Sequence, residues 1–522
     1  MLNSLLSEAQ LSPFILSAIT LIISILFFYS NKIKAALFFL FISSLGIGLS
    51  VANLDPFLHL WDEQYHALVA KNMLNNPLKP MLYSNPILEY HKLNWVSNTI
   101  WLHKQPLFLW QIALSIKIFG ANALAVRIPS ILMHAIISIF IYRIGKISYN
   151  SNIGYYGAIF FAIAYFPLEL LVGKYSTDHN DVAFLFYITA SFWAWFEYQK
   201  SKNKYWLILI GLFSGCAVLV KWLVGLIIFP IWGGANIFIH KKEFLQRNNI
   251  IPIIISLSIS FLVFIPWQIF ILLKYPLEAR HEYSLNSRHF FEVIENHGGD
   301  FSFHFIAFRE IYGGYVLCIL ILMGSFLLVK NIFDKTYKIS IVLAILIVYG
   351  FYSMAATKMI SFCIIVSPLF YLGLGAFFDT CITFLKSKVK LMKFEVLVNS
   401  LFLFIICLSL IKFNKIQTFH SDKSSYKDNN NRIVEINQMK EIEKVSSLLG
   451  NGKYVIFNIG KRVNGEISLM FYTNYTAYGQ IPLKEEIDEI IKTKKGWKIA
   501  IIDNGKLPKY IIDEKKVMKI PM

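Results

Sequence analysis

Long apolar runs separated by short polar stretches fill this sequence as far as residue 412. A run of about 20 apolar residues can cross the hydrocarbon core of a bilayer as a helix. The pattern therefore predicts an α-helical polytopic membrane protein with about twelve transmembrane helices. The predicted spans lie near residues 12–29, 35–54, 124–142, 153–171, 180–198, 205–220, 222–239, 250–270, 311–329, 339–356, 360–378 and 394–412.

Composition agrees with a helix bundle in a bilayer. Hydrophobic residues make up 56% of the 522, charged residues only 16%, and the mean hydropathy is +0.54. Soluble domains do not have this composition. The formal net charge is +18, but Lys and Arg fall mostly in short clusters between apolar runs, which is typical of cytoplasmic loops. We therefore expect the bilayer as a partner and no nucleic acid.

The basic clusters also predict the orientation of the chain. They occur in every second loop, for example Lys32 with Lys34 and Arg143 with Lys146. The positive-inside rule assigns these loops to the cytoplasm. The remaining loops, including the long ones at 55–123 and 271–310, and both termini are then extracytoplasmic. We expect a multi-pass protein of the cell (inner or plasma) membrane with most of its aqueous mass outside.

The C-terminal part has a different pattern. After the membrane domain, residues 1–412, the polar stretch SDKSSYKDNNNR predicts a linker over 413–432. In residues 433–522, KYVIFNI and KIAIIDN predict strands, and LKEEIDEIIKTKK predicts an amphipathic helix. We therefore predict a small soluble α/β domain on the extracytoplasmic side.

Asp62 and Glu63, in WDEQYHALVAKNML, directly follow the second apolar run. Two adjacent carboxylates at a membrane surface are costly to desolvate. Other polar groups fall on the same predicted face, in HKQPLFLW, KYSTDHND, FEVIENHGGDF and TKMISF: His103, Lys104, Asp178, His179, Asp181, His297, Asp300 and Lys358. Acids, imidazoles and lysines at one interface predict a site for an anionic group, with or without a metal.

The order of these motifs resembles the GT-C superfamily of membrane glycosyltransferases. DEQYHALVAKNM, HKQPLFLW, KYSTDHND, the pair Pro266–Trp267 and KMISFCIIVSP are similar to the aminoarabinose-transferase and protein O-mannosyltransferase families, over roughly residues 40–380. Such enzymes move a sugar, with inversion, from a polyprenyl-phosphate donor to an acceptor. The resemblance implies a glycosyltransferase acting on a lipid A-type lipid, a protein hydroxyl or an envelope glycan.

The resemblance also implies roles for individual residues. Asp62 would activate or orient the acceptor, and Asp178 would be a second catalytic acid, because an attacking hydroxyl needs a carboxylate beside it. Lys104 would hold the donor phosphate and Lys358 would be a second cation, since lysine provides a compact charge for phosphate. Tyr65 would support Asp62 from the same helix face.

Other positions leave the substrate and the metal open. Glu63 would help position Asp62. His103 and His297 stand where the aminoarabinose branch can hold a divalent metal, and imidazole is a common ligand of transition metals. Phe362 stands where a phosphate-binding tyrosine is usual. Gln105 and Asp300 also depart from the pattern, which has a proline and an arginine at these places.

Simpler interpretations of these residues exist. Asp62 and Glu63 could be an acid pair favoured by a helix dipole, Tyr65 an interfacial anchor, and Lys104 and Lys358 lysines that extend to lipid head groups. Two other functions also stay open. A transporter or flippase of lipid-linked glycans would use twelve spans but place its polar site at the midplane. A receptor would bind cell-wall glycan through its soluble tail.

Overall fold

The computed structural model describes residues 6–88, 93–173, 178–388, 395–412, 428–459 and 464–521. The chain forms a helical bundle followed by a small α/β domain. The helices of the bundle are α1 (Glu8–Tyr29), α2 (Ile33–Ala52), α3 (Asp62–Asn72), α4 (Pro106–Phe119), α5 (Ala123–Ser148), α6 (Ser151–Ile163), α7 (Tyr165–Leu171), α8 (Asp178–Ser201), α9 (Tyr205–Lys221), α10 (Ile228–His240), α11 (Arg247–Lys274), α12 (Pro276–Phe291), α13 (Phe303–Tyr312), α14 (Tyr315–Asn331), α15 (Lys335–Met354), α16 (Ser367–Lys388) and α17 (Glu395–Ile411).

Each predicted apolar run overlaps a helix, but the count of twelve spans is not confirmed. Within the described residues, seven helices are long and apolar enough to cross a membrane, or up to nine if each of two bent pairs counts as one span. The bends explain part of the difference. α6 and α7 meet at 50°, and α13 and α14 meet at 103°, where Gly313 and Gly314 have φ values of 95° and 115° that glycine adopts without strain. The chain is a multi-pass membrane protein.

Helix ends follow local signals in the sequence. Asn122, Asn150 and Asp334 each accept a hydrogen bond from a backbone N–H in the first turn of α5, α6 and α15, which satisfies a donor that has no partner inside the helix. α4 begins with Pro106, whose fixed φ suits a first helical position. These ends set the loops that carry the site.

Small residues bring the helices together. A side chain at Gly46 would lie 2.9 Å from the Pro13 carbonyl oxygen, so α1 and α2 touch through their backbones. Ser17 on α1 donates a 2.8 Å hydrogen bond to the Ser43 carbonyl oxygen on α2. In a bilayer the hydrophobic effect contributes little to helix association, so close backbone contacts and hydrogen bonds from hydroxyl groups hold the helices together.

The C-terminal domain contains α18 (Asp428–Leu449), β1 (Tyr454–Phe457), α19 (Gly465–Tyr472), β2 (Thr476–Tyr478), α20 (Lys484–Thr493), β3 (Lys498–Asp503), α21 (Lys509–Ile512) and β4 (Val517–Pro521). Its sheet is parallel, in the order β2-β1-β3-β4. Val455 pairs with Thr476 and with Ile499, and Ile499 pairs with Val517. β1 is fully buried, as is usual for a central parallel strand.

The fold class predicted from the sequence is therefore confirmed in both of its parts. The two predicted strands are β1 and β3, and the predicted amphipathic helix is α20. The sequence pattern missed β2 and β4, which are short strands at the two edges of the sheet. Of the predicted linker, residues 413–427 lie outside the described residues, and 428–432 form the start of α18.

Candidate active site

Asp62 is the first residue of α3 and stands on a strained turn. Trp61, just before it, has a φ of 69°, which is unusual for a bulky side chain and costs on the order of 1–3 kcal/mol. Asp62 itself is half-buried and lines a cavity of about 700 Å³. The turn aims the first carboxylate of the helix into this cavity, which is a reason for a fold to tolerate the strain.

Glu63, the second carboxylate, points the other way. It is fully buried and pairs with Arg127 on α5, with Nε–Oε1 and Nη2–Oε2 distances of 2.8 and 3.0 Å. It also accepts hydrogen bonds from the His59 backbone N–H, at 2.6 Å, and from His179, at 3.2 Å. Burial alone would raise the pKa of Glu63, but the Arg127 guanidinium and the hydrogen bond from His179 together outweigh it and hold the pKa well below its ordinary value. Glu63 thus anchors the start of α3.

The cavity lies where the ends of several helices meet, and its lining mixes charges with aromatic rings. Four of the residues predicted from the sequence share it, namely Asp62, His103, Lys104 and His297. Several that the sequence analysis did not single out also line it. These are Trp61, Trp95, Asn180, Lys221, Trp222, Asn286, His289 and Glu295. Two carboxylates, two lysines and an aromatic wall in one pocket fit a ligand that has a polar part and an apolar part.

Lys104 reaches the cavity from a firmly held loop. The next residue, Gln105, accepts a 2.8 Å hydrogen bond from Gln268 on α11. Gln268 in turn accepts a hydrogen bond from the Tyr283 hydroxyl on α12. His103 stacks on Trp95 with ring centroids 4.5 Å apart, and its Nδ1 lies 3.4 Å from Glu282. These contacts fix the loop so that Lys104 approaches the cavity in a defined position.

Lys221 is the second cation of the cavity. It ends α9, and the following residue, Trp222, has a φ of 58°, the same kind of strained turn that precedes Asp62. Its ammonium group pairs with Asp181 at the start of α8 and lies 4.5 Å from the ring centroid of Phe362. Phe362, which stands where the family pattern has a tyrosine, here offers a ring face to a cation.

Two imidazoles of the cavity are held in their neutral form. Burial, together with nearby Lys104, lowers the pKa of His289 to about 4. Burial and Lys104 likewise lower the pKa of His103. Both imidazoles are therefore uncharged at neutral pH. Two further groups, Trp222 Nε1 and Asn180 Oδ1, are buried with no hydrogen-bond partner among the described residues. Such groups normally have a partner, so both can bind a ligand.

Asp178 and Lys358 are buried and are not among the described residues that line the cavity. Asp178 is fully buried, and its Oδ1 lies 3.0 Å from Nδ1 of His66 on α3. Lys358 is buried, and its ammonium group donates to the carbonyl oxygens of Tyr352, Ser353 and Ala355 at the end of α15. In this position it caps a helix C-terminus, where a cation is favoured. The catalytic and phosphate-binding roles of the two residues stay predictions.

The position of Lys358 leads to a stability prediction. In Lys358→Met three buried carbonyl oxygens lose their donor, and an unsatisfied buried acceptor costs about 1–3 kcal/mol. We expect the melting temperature in detergent to fall by several degrees, while Lys335→Met, at an exposed lysine at the other end of α15, leaves it unchanged. Unchanged melting together with lost binding of a lipid phosphate would instead place Lys358 at the donor.

The structure does not test the metal predicted at His103 and His297. Both line the cavity, and the lowered pKa of His103 keeps its ring neutral, as a ligand must be. Within the part of the chain that the structure describes, however, no group of three or more His, Cys, Asp or Glu residues is placed to hold a metal ion. The described residues of the cavity therefore do not provide a complete set of protein ligands for a metal ion.

The C-terminal domain contacts α3 along its length. At its start, Glu435 on α18 accepts a 2.8 Å hydrogen bond from the Leu60 backbone N–H. In its middle, Tyr65 donates to Asn464, at 3.2 Å, and to the Val96 carbonyl oxygen, at 3.3 Å. At its end, Lys71 donates to three carbonyl oxygens at the C-terminus of α19. Tyr65 therefore faces the C-terminal domain, and this domain helps to hold the helix that carries Asp62.

A family model and a curated relative cover about a third of the chain. Residues 103–270 match the model described as dolichyl-phosphate-mannose-protein mannosyltransferase. An uncharacterized protein of Aquifex aeolicus (strain VF5) is 28% identical over 170 residues, which are 32% of this chain and 30% of that protein. The match thus spans less than a third of the relative's length.

Solved structures cover much more of the chain. ArnT from Cupriavidus metallidurans bound to undecaprenyl phosphate has a TM-score of 0.61 at 10% identity, over 89% of this chain and 86% of that one. The archaeal oligosaccharyltransferase AglB from Archaeoglobus fulgidus, in complex with an inhibitory peptide and a dolichol-phosphate, has a TM-score of 0.54 at 11% identity. It covers 81% of this chain and 62% of that one. At such identities these structures establish a shared fold.

Proposed function

We propose that this chain, which has the fold of the GT-C membrane glycosyltransferases, transfers a sugar from a polyprenyl-phosphate donor to an acceptor. One observation carries the proposal. A single cavity holds the carboxylate of Asp62 together with Lys104 and Lys221. ArnT is bound to undecaprenyl phosphate and AglB to a dolichol-phosphate, so the fold can hold a lipid phosphate.

The two lysines serve the donor. When the bond between sugar and phosphate breaks, negative charge grows on the phosphate, and fixed cations lower the energy of that state. Lys104 is held by its loop, and Lys221 by its contacts with Asp181 and Phe362, so neither must reorganise during the reaction. The aromatic residues of the wall give the sugar and the first isoprene units an apolar surface.

Asp62 serves the acceptor. Its carboxylate accepts the proton of an attacking hydroxyl, or orients another nucleophile, while the sugar leaves the phosphate on the opposite face. Glu63, held by Arg127, fixes the start of α3 and is not the base. The chemistry requires inversion at the anomeric carbon, because a single displacement takes place between two fixed groups.

The location of the cavity favours an enzyme over a transporter or flippase. The lining comes from loops and helix ends, including Lys221 at the end of α9 and Tyr352 near the end of α15. Carrier sites usually lie near the bilayer midplane between interrupted helices. From the basic clusters we place the cavity and the C-terminal domain on the extracytoplasmic side. The acceptor is a lipid, a protein hydroxyl or an envelope glycan.

Lysine variants test the donor end. A charge-assisted hydrogen bond contributes about 1.5–3 kcal/mol, so Lys104→Met should weaken binding of undecaprenyl phosphate by roughly 10- to 100-fold, and Lys221→Met likewise. Native mass spectrometry of the purified protein measures this affinity. Lys117→Met, at an exposed lysine in the last turn of α4, is the matched control.

Lys221 needs a second variant, because removing it leaves Asp181 buried without its cation. The double variant Lys221→Met with Asp181→Asn removes that penalty and should still bind the lipid weakly. Wild-type affinity in both Lys104→Met and the double variant would overturn the assignment of the donor site.

A further inference from the structure

A second cavity, of about 630 Å³, opens beside the first at the same end of the bundle. One side is formed by the outer loop, with Asn76, Leu78, Lys79 and Ile100. The other side is formed by the end of α11 and the start of α12. The residues there are Phe270, Lys274, Tyr275, Pro276, Leu277 and Glu278.

Three charged groups line this cavity, and within the described residues their side chains form no ion pair. The side chains of Lys79 and Lys274 form no hydrogen bond or ion pair within the described residues, and neither does that of Glu278. Glu278 is only 9% exposed. Its carboxylate faces the cavity and can pair there with a bound group that carries a positive charge. The two lysines can bind a negative one.

The rim of the second cavity is apolar and lies at the end of a membrane-spanning helix. Lys274 is the last residue of α11, which is long and apolar enough to cross the bilayer. Leu273 beside it is 80% exposed, and Leu277 and Leu78 are also exposed. In a bilayer these leucines contact acyl chains, whereas the charges sit at the depth of lipid head groups.

The two cavities are neighbours along α12. Glu278 lines the second cavity, Glu282 lies under His103, and Asn286 and His289 line the first. The spacing of four, four and three residues puts them on one face of the helix. A ligand in the second cavity would therefore sit about two to three helical turns from the first.

We infer that the second cavity binds a phospholipid whose head group carries an amine next to its phosphate, as phosphatidylethanolamine does. Lys79 and Lys274 hold the phosphate, Glu278 holds the ammonium group, and the leucine rim holds the acyl chains. A purely anionic lipid would leave Glu278 unpaired. A choline head group has no N–H to donate to it. The site does not depend on the transfer reaction proposed above.

Lipid titrations of the purified full chain, followed by native mass spectrometry, test the inference. We expect phosphatidylethanolamine to bind at least about tenfold more tightly than phosphatidylglycerol or phosphatidylcholine, the scale of one charge-assisted contact. Lys79→Met with Lys274→Met should remove most of this binding, and Lys117→Met should not. Glu278→Gln should abolish the preference for phosphatidylethanolamine over phosphatidylglycerol.

Two outcomes would overturn the inference. One is equal retention of the three lipids by the wild-type protein. The other is an unchanged preference in Glu278→Gln and in the lysine double variant. Soluble phosphoethanolamine is added as a competitor in a further experiment. If it competes as well as the lipid at equal concentration, the leucine rim contributes nothing and the ligand is not a membrane lipid.

Discussion

Asp62→Asn should lower the rate of sugar transfer by about 10²- to 10⁴-fold, the contribution of a positioned base. Asparagine keeps the size and polarity of the side chain but cannot accept the acceptor's proton. The lysines that hold the donor are untouched, so the affinity for the lipid phosphate should stay within about twofold of wild type. The readouts are the turnover number in a reconstituted assay and lipid affinity by native mass spectrometry.

Glu292→Gln is the matched control, because Glu292 is an exposed carboxylate just after α12 whose side chain pairs with Arg288 on the surface. It should transfer at the wild-type rate. If Asp62→Asn also transferred at that rate, Asp62 would be an acid that merely favours the start of a helix. If it lost lipid binding as well, the cavity as a whole would have changed.

Arg127→Met should destabilise the protein by about 3–5 kcal/mol, the penalty for breaking a buried ion pair from one side. Arg127 is fully buried and also donates to the carbonyl oxygens of Ala52, Asp55 and Phe57. Its loss leaves Glu63 without its guanidinium partner at the base of α3, with hydrogen bonds only from His179 and the His59 backbone N–H among the described residues. Unfolding in SDS titrations measures the change in free energy.

A double variant separates charge from packing. Arg127→Met with Glu63→Gln removes the unpaired anion and should recover part of the lost stability. Lowering the pH should also destabilise the folded protein. The pKa of Glu63 in the folded protein lies below its ordinary value of 4.5. The ion pair therefore contributes its full stabilisation above pH 4.5, and this stabilisation is lost as the pH falls through the folded-state pKa. If Arg127→Met alone were as stable as wild type, the anchoring role of Glu63 would be contradicted.

Periodicity predicted the elements well wherever a segment carries a repeated signal. The strands at Tyr454–Phe457 and Lys498–Asp503 and the helix at Lys484–Thr493 all have such a signal. The edge strand Thr476–Tyr478 has only three residues, too few for a period to appear. The number of spans was not predictable, because a bend such as that at Gly313 depends on tertiary packing and a window of apolar residues does not register it.

The site was predictable in part. Asp62, His103, Lys104 and His297 were found because acids and bases next to apolar runs are costly and therefore conspicuous. Lys221 was missed although it is a lone cation between two apolar runs, VLV and WLVGL. Its position on the outer face by charge alternation could have revealed it. Lys358 has an equally clear sequence signal, yet the fold turns its ammonium group onto the end of α15.

The division between Asp62 and Glu63 could not be read from the sequence. Adjacent residues at the start of a helix point about 100° apart, so one of them can face a cavity and the other a neighbouring helix. Glu63 turns away from the cavity because it pairs with Arg127, which is 64 residues away in the chain. The strained turn at Trp61 has no sequence signal either.

Mass spectrometry of membrane lipids, glycoproteins and envelope glycans tests the central claim most directly, in cells that lack the protein and are complemented with wild type or with Asp62→Asn. The proposed function predicts that one class of molecule gains the mass of a single sugar with wild type and loses it again with the variant present at equal level. Identical spectra in all three strains, or the same gain with Asp62→Asn, would contradict it.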